Sequence, residues 1–481
     1  MTGVAVLLTV LICVALLIRD ARRIPAPEIA VSHFWYFTLI FLFAYPFRAW
    51  LIESGMTVPQ VVHKNEAGGG FHSGAYPLTD MGLGIAVLVS LGFWSATYLG
   101  YSIARHRDAG SSALVRCIEL SDSHLYRATV FHIIMMIAAL AATMYLNPYG
   151  QVSGGAEHAL RAKGAGGLWL LQELFVLTFI LVVAVAARSP ERVNVSAAVI
   201  ILLTTISLAA FETYVLASRR VLAGIIISAA VGLVIANRRF WPVGLAAALG
   251  TFYAANLFEI VRNIRAPLDL GYSYWDAFIY SMDRSLDQLA VFLFSTSFEG
   301  AEHVLQLLRK FDYAAIIGGV DQGLAWIFNA GLAFVPRSIW VEKPIVYGGI
   351  EQFQALYPGY FEGGINSTSI PVGFVVDLSY GYGILFGLIL AFFLGRFFAL
   401  CQLVIAEHDH NLFLLAVSLA TFALMFNIIR GGSIHIQIVW LVLVMSIVIS
   451  GVRSSFYGLH FLLFRVIHRP FRGISVGPPA G

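Results

Sequence analysis

Charge is what this sequence has least of. Of its 481 residues only 12% are Asp, Glu, Lys or Arg, about half the share of an ordinary globular chain, while 59% are hydrophobic. So little charge cannot solvate the surface of a water-soluble fold of this length, and a mean hydropathy of +0.81 makes lipid the main solvent. A net charge of +3, with no basic run interleaved with aromatics, excludes a nucleic-acid partner. Cysteine is scarce too. Cys13 lies in an apolar run and Cys117 and Cys401 fall in segments read below as cytoplasmic, so no disulfide framework is implied. Soluble-enzyme motifs are missing: there is no GxxxxGK(S/T), GxSxG or HExxH, and no Asp-x-Asp to hold a divalent ion on a nucleotide sugar. Glu407–His410 has metal-ligand residue types but reads as a solvated turn, and Asp283 and Asp287, with Arg284 beside them, read as a charged helix face. No metal and no cofactor are expected. Internal repeats, linkers and low-complexity tracts are absent beyond a Gly-rich 67–70 and the 477–481 tail, so the chain reads as one domain.

What is there is a series of apolar runs. Unpaired backbone polar groups are costly in lipid, so spanning segments are expected to be helices of roughly 17 to 25 residues. Eleven such runs lie near 2–18, 33–52, 81–103, 128–146, 168–187, 195–211, 220–236, 241–261, 370–396, 411–429 and 433–452. The first has no basic residues before it and no small-residue cleavage site, and Arg19, Arg22 and Arg23 come after it, so it reads as a retained helix. The expected fold is an all-α polytopic helical bundle. Helices 1–8 fill residues 1–261, a large, partly helical loop covers 262–369, helices 9–11 fill 370–452, and a basic tail covers 453–481.

Orientation is set by basic residues in short loops, which stay cytoplasmic. Arg105, Arg107, Arg116 and Arg127 share one loop, and Arg453, Arg465, Arg469 and Arg472 share the tail. This puts the N-terminus outside and the C-terminus in the cytoplasm. The loop 262–369 is then external and too long to be a simple connection, so it is expected to fold. Within it Tyr313–Phe334 is long enough to span but carries Asp321 and scattered polar or Gly positions. It reads as re-entrant or interfacial, because a twelfth span would move the basic tail outside.

Against the charge rule, several cations fall at the outer boundary. Arg219 and Arg220 open the seventh span, Arg262 and Arg265 leave the eighth, Arg337 and Lys343 lie late in the loop, and Arg430 joins the last two spans. For any one of them a snorkelling or headgroup-binding role is an alternative. As a converging set they suit a pyrophosphate, because guanidinium forks match phosphate bidentately. Glu212 precedes Arg219 by seven residues and would share its face if the stretch were one helix. Asp377 is ionisable inside a span and needs a partner there; His435, early in the last span, is a candidate base or a packing residue, and Glu173 in the fifth span is similar. Trp275, Trp326, Trp340, Tyr347, Tyr357, Tyr360 and Phe361 could stack on sugar rings or anchor the loop at the interface.

The late loop also carries a resemblance. Pro336-Arg-Ser-Ile-Trp-Val-Glu-Lys-Pro344, then Asn366-Ser-Thr-Ser-Ile-Pro371, then Tyr380-Gly-Tyr-Gly383 opening a span, resemble the Wzy-type O-antigen or oligosaccharide repeat unit polymerases. Arg337 to Gly348 fits that family's Arg-x10-Gly loop spacing, and Ser218-Arg219-Arg220 is similar to the Ser-Arg before a span in related polymerases and ligases. The resemblance implies a GT-C-like glycosyltransferase of the bacterial inner membrane. It would move a growing glycan from undecaprenyl pyrophosphate to another lipid-linked repeat unit at the periplasmic face, with a chain-length regulator protein as a candidate partner. It implies that Arg219, Arg220, Arg337, Lys343 and Arg430 hold the leaving pyrophosphate. Glu212 or His435 would take the acceptor proton, and Arg262, Arg265, Trp340, Asn366, Ser367, Thr368 and Asp377 would line the substrate. An O-antigen ligase and a transporter of lipid-linked sugars are the alternatives.

Overall fold

The computed structural model describes residues 1–55, 62–64, 71–73, 80–106, 124–146, 166–188, 190–216, 220–246, 270–287, 300–310, 373–406, 412–431 and 441–450, with positions 250, 267, 268, 324, 325, 340, 352, 356 and 438 between them. Most of the run at 241–261 lies outside the described residues; the other apolar runs become helices, as hydrocarbon requires of a backbone that must satisfy its own polar groups. They are α1 (Thr2–Ala21), the short α2 (Ala26–Ala30), α3 (His33–Leu42) continuing through a π-turn (Phe43–Phe47) into α4 (Arg48–Glu53), α5 (Asp80–His106), α6 (His124–Leu146), α7 (Gly166–Arg188), α8 (Val195–Leu216) and α9 (Arg220–Ala236). The loop region contributes α10 (Tyr274–Asp287) and α11 (Gly300–Lys310), and the chain continues through α12 (Phe374–Ala406) and α13 (Leu412–Gly431) to α14 (Leu441–Ser450). Among the described residues one antiparallel hairpin, β1 (Val62–Lys64) with β2 (Phe71–Ser73), lies between α4 and α5. Nothing in the hydropathy pattern announced it.

Six helices among the described residues are long and apolar enough to cross a membrane, and shorter apolar helices cover Leu174–Arg188, Val221–Ala236, Leu412–Ala423 and Leu441–Ser450. The protein is a helical, membrane-embedded bundle. Its ninth expected span ran to 396, but α12 continues to Ala406 and is broken inside, at Gly383 (φ 76°). Only glycine takes that left-handed conformation at low cost, so the Tyr380-Gly-Tyr-Gly stretch is where the long helix bends.

Alignment of the helices defines two ends. At the Met1 end, the Gly3 amide donates to Glu53 Oε1 (3.2 Å), and Gly84 abuts the backbone of Thr2. At the Arg105 end, Arg19 donates to Tyr98, and Arg105 and Arg238 both approach Glu28. The broadest packing is between α5 and α12. Gly100 lies directly against the carbonyl of Phe392, and Gly395 against that of Thr97, so a side chain at either glycine would drive into backbone. Between lipid-exposed helices there is little hydrophobic driving force, so close backbone approach through small residues supplies the packing. Elsewhere buried polar groups join helices: His132 of α6 bridges Thr178 of α7 and Thr205 of α8, each at 3.0 Å.

Candidate functional site

The Met1 end holds a buried polar cluster that begins with a proline. Pro46 lacks an amide hydrogen and cannot continue an α-helical ladder, and the chain passes it through the π-turn, a single wide turn that re-aims the next helix. The first residue of that helix is Arg48, whose side chain is 1% exposed. A guanidinium at such a position needs a carboxylate. It finds Glu302, 254 residues later: Nε donates to both carboxylate oxygens at 3.1 Å and Nη2 to Oε1 at 2.6 Å.

Glu302 reaches this depth because α11 is buried from Gly300 through Leu307. Its first residue must be glycine, since a Cβ there would stand 2.8 Å from two ring atoms of Tyr45. Next to Gly300, Gly373 (φ 80°) also leaves room for the phenol, since a Cβ there would stand 2.9 Å from the hydroxyl. The Tyr45 hydroxyl accepts from the Val375 amide (3.4 Å), one of the donors that the first turn of α12 cannot satisfy internally. Two residues on, Asp377 is fully buried and accepts from Gln352 Nε2 at 2.9 Å. The first turn of α12 also favours that carboxylate through the helix dipole. Thus Arg48–Glu302 and Gln352–Asp377 gather near one tyrosine, and together they clamp two parts of the 262–373 region onto the bundle. Gln352 Oε1, Gln306 Nε2 and Ser379 Oγ are buried without a hydrogen-bond partner among the described residues, so the cluster has spare polar capacity.

The expected site residues fall in several places. Asp377 needed a partner and has one. Arg220 is the first residue of α9, Arg430 lies in the last turn of α13, and Glu212 lies in the last turns of α8. Both α8 and α13 pack against α9, and these termini all fall at the Met1 end. Glu212 is 1% exposed; Thr143 donates to its Oε1 at 3.5 Å, and its Oε2 has no partner among the described residues. The stretch that would put Glu212 and Arg219 on one helix face runs through positions 217–219, which lie outside the described residues. Trp340 is exposed, and the Glu173 position lies in α7. Arg219, Arg262, Arg265, Arg337, Lys343, Asn366, Ser367, Thr368 and His435 lie outside the described residues, as do the Arg337–Gly348 spacing, Glu407–His410 and most of 313–334.

Sequence reasoning missed Arg48 and Glu302. Arg48 had a readable signal, an arginine inside an apolar run two residues after a proline; Glu302 had none, since an acid in a polar loop segment looks solvated. Among the described residues no group of three or more His, Cys, Asp or Glu side chains is placed to hold a metal ion. A shallow groove lined by Pro27, Glu28, Val31, Val234, Ile235, Arg238 and Ile405 lies at the Arg105 end, and none of the expected site residues lines it.

No protein-family model matches the chain, nor does any curated protein or solved structure. The functional reading therefore stands on the residues.

Proposed function

We propose that the protein is a polysaccharide polymerase, moving a growing glycan from an undecaprenyl-pyrophosphate donor onto a second lipid-linked repeat unit, with the Met1 end facing the periplasm. The observation that carries this reading is convergence: Arg220, Arg430, Glu212 and Asp377 come from four different helices and share one end of the bundle, the end onto which the long loop is clamped.

In this reaction an acceptor hydroxyl attacks the anomeric carbon, the new glycosidic C–O bond forms as the bond to the pyrophosphate oxygen breaks, and the hydroxyl proton passes to a base. Pyrophosphate is a weakly basic leaving group and needs its charge held more than it needs a proton, which suits Arg220 and Arg430 together with Arg219, Arg337 and Lys343. Glu212 supports the base role through its unpartnered oxygen. The test is purified protein in nanodiscs with a synthetic undecaprenyl-linked repeat unit, read as a product ladder. Wild-type protein is expected to give the ladder, and Arg220→Ala and Arg430→Ala to slow it by about 100-fold or more, as for other charge-stabilising groups. A wild type that makes no product, or variants as active as wild type, overturns the reading.

A further inference from the structure

Helix α10 divides its surface three ways, and the division identifies where it sits. Ser273 caps it: its hydroxyl accepts from the Asp276 amide at 3.2 Å and donates to the Asp276 carboxylate at 2.6 Å. Ala277 and Ser281, four residues apart, are 0% and 1% exposed and form a narrow stripe packed on protein. At 3.6 residues per turn, Tyr274, Trp275, Phe278 and Met282 form an arc centred about 95° to one side of that stripe. Asp276 and Asp283 lie about 130° to the other side, with Tyr280 between them and the stripe, and all three are exposed. The arc is also uncovered: Tyr274 is 77%, Trp275 67% and Phe278 38% exposed, and Leu270 just before the helix is 79% exposed. Trp275 and Phe278 stack at 5.8 Å.

Protein, an apolar medium and water meet along a single line on a membrane-embedded bundle, the rim where the bilayer surface touches its wall. We propose that α10 lies along this rim as an interfacial helix, with Tyr274, Trp275 and Phe278 inserted at the boundary between lipid headgroups and acyl chains. Aromatic residues favour that boundary because an apolar ring and a polar tip are both satisfied there. A glycan is the competing occupant for exposed aromatics. It would also need polar side chains to bond its hydroxyls, and within this patch the carboxylate of Asp276 is engaged by the helix cap and points away from the arc. Leu270 and Met282 add apolar area that suits acyl chains. This inference does not rest on the polymerase reading.

The experiment uses the full chain with Cys117→Ser, leaving the buried Cys13 and Cys401 in place. Single cysteines are introduced as Trp275→Cys, Phe278→Cys, Asp276→Cys and Asp283→Cys. Each is labelled with a polarity-sensitive fluorophore in nanodiscs containing lipids nitroxide-labelled at shallow acyl positions. The expected result is blue-shifted emission at 275 and 278, with lipid quenching there about twofold or more above that at 276 and 283, and aqueous iodide quenching in the reverse order. Equal iodide access at all four positions overturns the proposal. So does shielding of 275 and 278 from both quenchers, which would mean a protein cover. Protection of these positions from iodide by a soluble oligosaccharide, without lipid quenching, would also overturn it and assign the arc to a glycan.

Discussion

The two ends of the bundle handle charge in opposite ways. At the Met1 end Arg48 and Glu302 are 1% and 2% exposed, meet at 2.6 Å and join segments 254 residues apart. At the Arg105 end Glu28 stands 3.9 Å from Arg105 and 3.8 Å from Arg238, with Glu28 22% and Arg238 46% exposed. Just inside that end the buried connections are uncharged: Ser32 and Tyr101 both donate to Gln402 Oε1, at 2.8 and 2.6 Å. At the Arg105 end the connection 22–32 is short and includes a helical turn of its own. The Met1 end must hold a long excursion of the chain in place, and it does so with desolvated, geometrically specific pairs. A buried ion pair is a poor source of net stability but a strong determinant of which arrangement forms, because any misplacement strands a charge.

The largest expected effect is at Glu302. Glu302→Ala removes the carboxylate that holds the buried Arg48 guanidinium through two nitrogens and is expected to destabilise the protein by about 3–5 kcal/mol. Arg48→Met combined with Glu302→Met removes both charges at similar volume and is expected to recover most of that loss. Thermal unfolding of the single and double variants in detergent measures both. A double variant as unstable as Glu302→Ala would mean that Arg48 depends on other partners, and the contrast between the ends would then rest on more than this pair.

Gln352 sharpens the comparison at a middle scale. Gln352→Ala removes one donor to Asp377 and is expected to cost about 1–3 kcal/mol, the range for a buried group losing a hydrogen bond. Gln352→Glu places a second carboxylate beside a buried one and is expected to cost more than alanine does. If the two variants melt together, Asp377 is not held by Gln352 in solution. The same pair bears on function, since in the proposed polymerase a loosened clamp would lower ladder length without removing any pyrophosphate contact.

Most of the helical layout was legible because the solvent dictates it. The runs read at 33–52, 195–211, 220–236 and 411–429 correspond to α3–α4, α8, α9 and α13 within a turn or so, and hydropathy needs no knowledge of partners. Pairing was not legible. Asp377 announced a need for a partner, but nothing local points to Gln352, and Glu302 belongs to an eleven-residue amphipathic helix whose polar residues look solvated until its buried face is seen. The π-turn was hidden for a related reason, since Pro46 signals a break without saying how the chain resumes. Of the expected site residues, Arg220, Arg430 and Glu212 fall near helix ends, where charge is conspicuous in an apolar sequence. How their side chains meet depends on contacts across hundreds of residues, which spacing does not encode.

The smallest expected effect tests the other half of the comparison. Glu28 is approached by two arginines, and on the surface of a soluble protein such a bridge is worth at most about 1 kcal/mol because water and salt screen it. Glu28→Gln is therefore expected to shift thermal stability by under about 1 kcal/mol, and by less still as salt rises from about 50 to 500 mM, where the Debye length falls toward roughly 4 Å. Thermal melts of wild type and variant across that salt series measure it. The sign favours wild type, because removing the carboxylate also takes away the anion between Arg105 and Arg238 and leaves their repulsion, which the same salt screens. A loss of several kcal/mol, insensitive to salt, would mean that Glu28 is desolvated by lipid or by a partner at that face. The two ends would then hold charge in the same way, and long-loop docking would no longer explain why Arg48 and Glu302 are buried.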